Sequence, residues 1–278
     1  MVLPELALAN GERLYLLLDG GHLPELERQL FEVIDSPAYQ PLYLYSPWDS
    51  LREVSPCLVE ASEPLLSWFQ QLPANVGWLL ASPLMLLPLA DQLRPLIEVE
   101  SPYGSRILLK LAAPETMACL MVDADPWLWQ GIAQVWLPTR VGWHHWQVKE
   151  RLAEPMGDRC RLTESQWARL GEVSWQNQLD ATYHHMAHWF PARLAQQSDP
   201  QSWIARWAQQ AYQLGFQTER DLLLFFNVLG FVGEEWWQGD DYPTLTKLLT
   251  APSAQTPSQR VELAADWAEQ HALPQELS

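Results

Sequence analysis

Gly77-Trp-Leu-Leu-Ala-Ser82, then Pro83 to Arg94, Pro95-Leu-Ile-Glu-Val99, Arg106-Ile-Leu-Leu-Lys-Leu111 and Pro114 to Ala124 form the stretch whose reading decides the fold. Trp78 to Ala81 and Leu96 to Val99 are short apolar runs bounded by Gly, Pro and Ser, the pattern of buried strands. Between them, Ser82 is suited to cap a helix whose first turn holds Pro83, and Leu86, Leu89, Ala90 and Leu93 share one helical face. Pro102-Tyr-Gly-Ser105 supplies turn chemistry before the next apolar run, and Pro114 opens a second helix. Strand, helix, strand, strand, helix is the expected order, at the centre of a mixed α/β layer.

The chain before this stretch supplies more strands. Leu14 to Leu18 is an apolar run closed by Asp19-Gly-Gly, followed by a helix over 24–33 with Leu26, Leu30 and Val33 on one stripe. Asp19 and His22 are read as turn and cap chemistry. Leu42 to Tyr45 and Cys57 to Val59 read as short strands, and Glu63 to Leu72 as a helix ended by Pro73. After it, Trp127, Trp129, Trp136, Trp143 and Trp146 crowd a segment read as two strands, 131–137 and 141–148, joined at Pro138-Thr-Arg. Tryptophan buries large area and carries one polar N–H, which suits cores and interfaces alike.

These strands also carry a resemblance. Leu14-Tyr-Leu-Leu-Leu-Asp-Gly20, Ser55-Pro-Cys-Leu-Val59, Gly77-Trp78, Leu93-Arg94 and Glu98-Val99 occur in the order and spacing of the effector adaptor (chaperone) family of bacterial type VI secretion, which residues 12–140 resemble. Gly215-Phe-Gln-Thr-Glu-Arg-Asp-Leu222 matches a helix start common in the family's helical C-terminal lobe. Lys110 stands where the family usually has Arg, and Ala113 where it has Asp, so an ion pair at that corner is missing here. The resemblance implies a non-enzymatic adaptor without cofactors. Its implied partners are a cognate toxin effector and the trimeric spike-tip protein onto which that toxin is loaded.

Strand signals stop near Arg151-Leu-Ala-Glu-Pro-Met-Gly, which gives the expected division: a mixed α/β N-terminal lobe over 1–150 and an all-helical lobe over 151–278. Thr163-Glu-Ser-Gln166 has capping-box spacing and opens a long helical region, with Gly171 and Pro191 as candidate breaks. Asp199-Pro200 and Thr218 open further helices. Leu222 to Phe231 is apolar nearly all round, as a central buried helix is. Thr244 to Leu249 and Pro257 to Ala272 are the last two.

The chain has 278 residues, 17 basic and 34 acidic, for a net charge of −17. Such a surface repels phosphate backbones and anionic lipid, so neither nucleic acid nor membrane is an expected partner. Three widely spaced cysteines (Cys57, Cys119 and Cys160) form no Cys-x-x-Cys pair and read as reduced thiols. Met1-Val-Leu-Pro-Glu-Leu lacks a signal peptide's basic segment, and the expected location is cytoplasmic.

Asp180, His184 and His188 recur every fourth residue, so a helix would align them with the spacing of metal ligands. A metal-assisted hydrolase built on them is the enzymatic alternative, and a structural subunit of the secretion apparatus is another. No His-Glu-x-x-His, Gly-x-Ser-x-Gly or phosphate-binding loop is present. No catalytic residue and no metal ligand is therefore assigned. The expected partner-binding residues are Trp143 and Trp146 of the Trp-rich hairpin, with Glu234, Glu235, Trp236, Trp237 and Tyr242 of a loop that also holds Asp240 and Asp241. Both segments carry more aromatic surface than a short hairpin or loop uses for itself, and the expectation places them on one shared face.

Overall fold

A computed structural model describes residues 1–148, 153–238 and 242–272, with the side chains of Glu235 and Gln238 left out. The chain forms two compact units, Met1–Val173 and Ser174–Ser278. The division falls inside one long helix. Residues 149–152, where the change from strand to helix signals was expected, lie outside the described residues, as do Asp240 and Asp241.

In the first unit, strands β1 (Arg13–Asp19), β2 (Tyr39–Pro41), β3 (Pro56–Glu60), β4 (Gly77–Ser82), β7 (Gln134–Thr139) and β8 (Gly142–Gln147) form one sheet in the order β2-β3-β1-β4-β7-β8. Every neighbouring pair is antiparallel. β1 is central, and all of Tyr15, Leu16, Leu17 and Leu18 are fully buried. Tyr15 and Leu17 face one apolar cluster while Leu16 and Leu18 face another, so the sheet is covered on both sides. That is why the strand reads as an unbroken apolar run although the sheet is antiparallel. Helices α1 (Leu26–Val33) and α2 (Glu63–Phe69) contribute to one cover. Helices α3 (Leu86–Leu93) and α4 (Pro114–Met121) contribute to the other.

Trp78 is the largest fully buried side chain under that second cover. Its indole donates to the Leu111 carbonyl at 2.8 Å, so burial leaves no polar atom of the ring unpaired. Gly77, just before it, lies against β1. A Cβ built there would sit 2.6 Å from the Leu17 carbonyl oxygen, so only glycine lets the two strands approach this closely.

Four expectations change. Ser82 ends β4 and does not cap α3: its hydroxyl donates to the Gly131 carbonyl at 2.6 Å and accepts from the Leu84 N–H at 3.0 Å, and the helix starts only at Leu86, after Met85. Leu96–Val99 and Arg106–Leu111 do not join the central layer. Shortened to β5 (Glu98–Glu100) and β6 (Arg106–Leu108), they pair with each other in a separate ribbon, and Glu100 adds one parallel bridge to Arg161. Leu42 to Tyr45 is not a strand. The strand is Tyr39–Pro41, after which Leu42 and Tyr43 turn inward and the Tyr43 N–H is taken by the Ser55 hydroxyl at 2.9 Å. Helix α5 (Glu164–Trp189) runs unbroken through Gly171, because a single glycine weakens a helix without ending it. The reciprocal Thr163–Gln166 bonds start it (2.8 and 3.2 Å), and the segment before Pro191 stops it.

The second unit is all helical beyond α5: α6 (Pro191–Ala195), α7 (Pro200–Gln213), α8 (Glu219–Val232), α9 (Glu235–Gln238), α10 (Pro243–Thr250) and α11 (Pro257–His271). The caps are the ones the sequence signals: Asp199 accepts from the Ser202 N–H at 3.1 Å and Thr218 from the Asp221 N–H at 3.1 Å. α8 is the buried centre, with Phe225, Phe226, Val228 and Leu229 fully enclosed. The short α9 has no counterpart in the sequence reading. At four residues it is below the length at which periodicity can be seen.

Candidate partner-binding surface

β8 ends the sheet, and its side chains alternate between the two faces. Trp143 and His145 lie on one. The Trp143 indole donates to the Val2 carbonyl at 2.8 Å, tying the N-terminal segment down. His145 stacks on Trp136 with ring centroids 4.9 Å apart and reaches Gln134 Oε1 at 3.0 Å. His144 and Trp146 lie on the other face, stacked on each other at 5.2 Å, with Trp146 against the larger core. Trp143 and Trp146 are thus half-buried, each with one ring face committed to its own unit. Alternation keeps His144 and His145 from converging.

Segment 234–242 belongs to the second unit. The Glu234 carboxylate accepts from the Trp203 indole through one oxygen and from Arg206 Nη2 at 3.0 Å through the other. Trp236 is fully buried, packed between Trp207 and Phe225 at 6.2 and 6.1 Å. Trp237 stands edge-on to both Trp207 and Trp236 and keeps 39% of its surface exposed. Tyr242 is half-buried and meets Trp267 edge-on at 6.0 Å. Glu235 opens α9, and nothing is described of its side chain. Of this set, Trp237 offers the most open aromatic surface, and Trp236 serves the interior.

Asp180, His184 and His188 occupy an exposed face of α5, as their spacing requires. His184 Nδ1 lies 2.7 Å from the Asp180 backbone carbonyl, and His188 packs edge-on to Trp189. His185 points away and meets Asn227 Oδ1 at 2.6 Å. Among the described residues no three His, Cys, Asp or Glu side chains are gathered so as to hold a metal ion. Asp19 accepts from the Gly21 N–H and from His22, both at 2.8 Å, which is turn chemistry.

A cleft of about 480 Å³ between α1, β2 and the 49–54 turn was not legible in the sequence. Its charges answer one another: Arg52 donates to both Glu27 oxygens at 3.1 Å, and the Tyr39 hydroxyl donates to Oε2 at 2.9 Å. Burial pushes the Glu27 carboxyl up, but the Arg52 and Tyr39 hydrogen bonds outweigh it and hold the group below its usual range. Cys57 lines the cleft, and burial pushes its thiol up to about 12, so it stays protonated and a poor nucleophile at neutral pH.

The profile of a family described as "Domain of unknown function (DUF4123)" matches residues 14–131, a span that holds β1 to β4, α3, the β5–β6 pair and α4. The chain is 43% identical over 274 residues to "Accessory protein VasW" of Vibrio cholerae serotype O1, covering 98% of this chain and 92% of that protein. No solved structure matches. No helix among the described residues is long and apolar enough to cross a membrane.

Proposed function

Since this chain belongs to one family with Accessory protein VasW and carries the DUF4123 domain, we propose that it is a non-enzymatic adaptor of type VI secretion. It binds one specific toxin effector in the cytoplasm, keeps it soluble and helps load it onto the spike-tip protein. The observation that carries this reading is the likeness to an accessory protein along nearly the whole chain. Both units are therefore kept, not the DUF4123 segment alone. Such an adaptor works by surface complementarity, with aromatic anchors at the dry centre of the contact and charged residues at its rim. Trp143 and Trp146 in the first unit and Glu234, Glu235, Trp237 and Tyr242 in the second are the candidate contacts, each unit taken by itself. Within the second unit Trp236 supports Trp237 from beneath.

The test is direct binding. The purified chain is mixed with each purified type VI toxin of its own bacterium in turn, and each mixture is followed by size-exclusion chromatography with light scattering. A complex of defined stoichiometry with one of them is expected. Two separate peaks with every toxin at micromolar concentration contradict the proposal.

A further inference from the structure

The two edges of the six-stranded sheet are built differently. β2, at one edge, is three residues long and ends in Pro41, which has no N–H to offer. A short edge with a proline is one of the ways proteins keep a sheet from pairing with other chains. β8, at the other edge, is six residues long and reads Gly-Trp-His-His-Trp-Gln, with no Pro, Lys, Arg, Asp or Glu. Among the described residues no strand pairs with its outer side.

The register says which of its backbone groups point away from β7. β7 and β8 are joined across Arg140 and Val141, with Thr139 opposite Gly142. Gly142 turns its carbonyl inward, where it accepts from the Thr139 hydroxyl at 2.8 Å, and Val148 turns its N–H inward to the Ala133 carbonyl at 2.9 Å. Even-numbered residues therefore bond to β7. By antiparallel alternation, Trp143, His145 and Gln147 point their N–H and C=O groups out of the sheet. The side chains at these three positions lie on one face of the sheet, so a strand laid along the edge meets no charged side chain of β8.

We propose that the outer edge of β8 receives an extended segment of the bound partner as a seventh strand, through the backbone groups of Trp143, His145 and Gln147. This deepens the adaptor reading and rests on it. Backbone pairing supplies affinity with little demand on sequence. The exposed surfaces of Trp143 and Trp146 would then flank the added strand on opposite faces. The occupant is a neutral or basic segment of another protein and not a second copy of this chain, because a copy would bring a second molecule of net charge −17 against the first.

The experiment is amide hydrogen exchange on the isotope-labelled full chain, alone and mixed with each purified type VI toxin of its own bacterium, together with dissociation constants for His145→Pro and His145→Ala. Proline removes the outward N–H while sparing the bonds to β7, and alanine removes the same ring without touching the backbone. Slowed exchange at Trp143, His145 and Gln147 in the complex is expected. His145→Pro should bind about tenfold more weakly than His145→Ala, the loss of a backbone bond and of close approach. A complex that leaves these amides unchanged, or binds both variants equally, overturns the strand proposal and leaves the adaptor reading standing. Absence of any complex overturns both. Protection of the same amides in the chain alone, growing with its concentration, assigns the edge to a second copy and also overturns the proposal. The exchange measurement needs no variant, so a misfolded His145→Pro does not block the answer.

Discussion

At the scale of single residues, the positions that carry most structural weight are those with no room or no alternative partner. Gly77 sits where any side chain would strike the Leu17 carbonyl, a backbone atom that cannot swing away. Gly77→Ala should therefore destabilise the chain by about 1–3 kcal/mol, the range for overpacking a filled site. Urea unfolding measures it, and an unchanged midpoint would show that β1 and β4 separate more easily than their packing suggests. Trp237 poses the opposite case. Its exposed surface can be removed without opening the core. Trp237→Ala is expected to weaken toxin binding by about 1–3 kcal/mol while the melting curve stays close to wild type. Full-strength binding would place the contact elsewhere. Trp236 and Trp237 are adjacent and chemically identical in the sequence, and which of them is interior is set by the turn of α9, which the sequence does not reveal.

At the scale of elements, capping explains both a match and a departure. The Thr256 hydroxyl and Gln259 amide close a reciprocal box at the start of α11, and α11 packs on the central α8. Ala113, where the family usually has Asp, occupies the N-cap position of α4 in extended conformation with no side-chain bond. Thr256→Ala should cost about 0.5–2 kcal/mol, and Ala113→Asp should add about 0.5–1 kcal/mol. Denaturant titration of both variants checks the pair, and loss of stability in Ala113→Asp would mean that Glu115 nearby outweighs the cap. Caps, glycine turns and apolar runs were legible in the sequence because each is set by a few adjacent residues. Hence β1, β3, β4, the Trp-rich hairpin and the helix starts at Glu164, Pro200 and Glu219 fall close to where their residues predict. The β5–β6 pair was misplaced because a short apolar run does not say which sheet it joins. Leu42 and Tyr43 were misread as strand because both are buried and apolar, while the ladder stops after one backbone bond from Leu42 to Pro56 and the Tyr43 N–H goes to the Ser55 side chain.

At the scale of the whole molecule, buried ionisable groups link stability to pH. Burial pushes the thiols of Cys57, Cys119 and Cys160 from 9.0 up to about 12, 11 and 12. Burial also raises Tyr15, Tyr39 and Tyr43 above 10.0. Below about pH 9 these groups hold their protons in both folded and unfolded chains, and their contribution is complete. Above it the unfolded thiols ionise while the folded ones do not, so stability should fall steadily between about pH 9 and pH 12. Urea midpoints taken across that window test this, and a flat profile would contradict the burial of the thiols.

The candidate surface was less legible than the fold. Aromatic excess in 143–146 and 234–242 was visible in the sequence, but how much of each ring its own unit absorbs depends on packing partners remote in the chain, such as Val2 for Trp143 and Trp267 for Tyr242. The open backbone of β8 has no sequence signature beyond the lack of Pro and charge, because an edge is defined by the strand order.

The adaptor account makes its sharpest statement about scope. Deleting the chain in its own bacterium, and then following both the toxin it binds and the tube protein of the apparatus in the culture medium, tests it most directly. The account predicts that the one toxin disappears from the medium while the tube protein is secreted at the wild-type level. Loss of both would identify a structural subunit of the apparatus, and unimpaired release of the toxin would contradict an adaptor role.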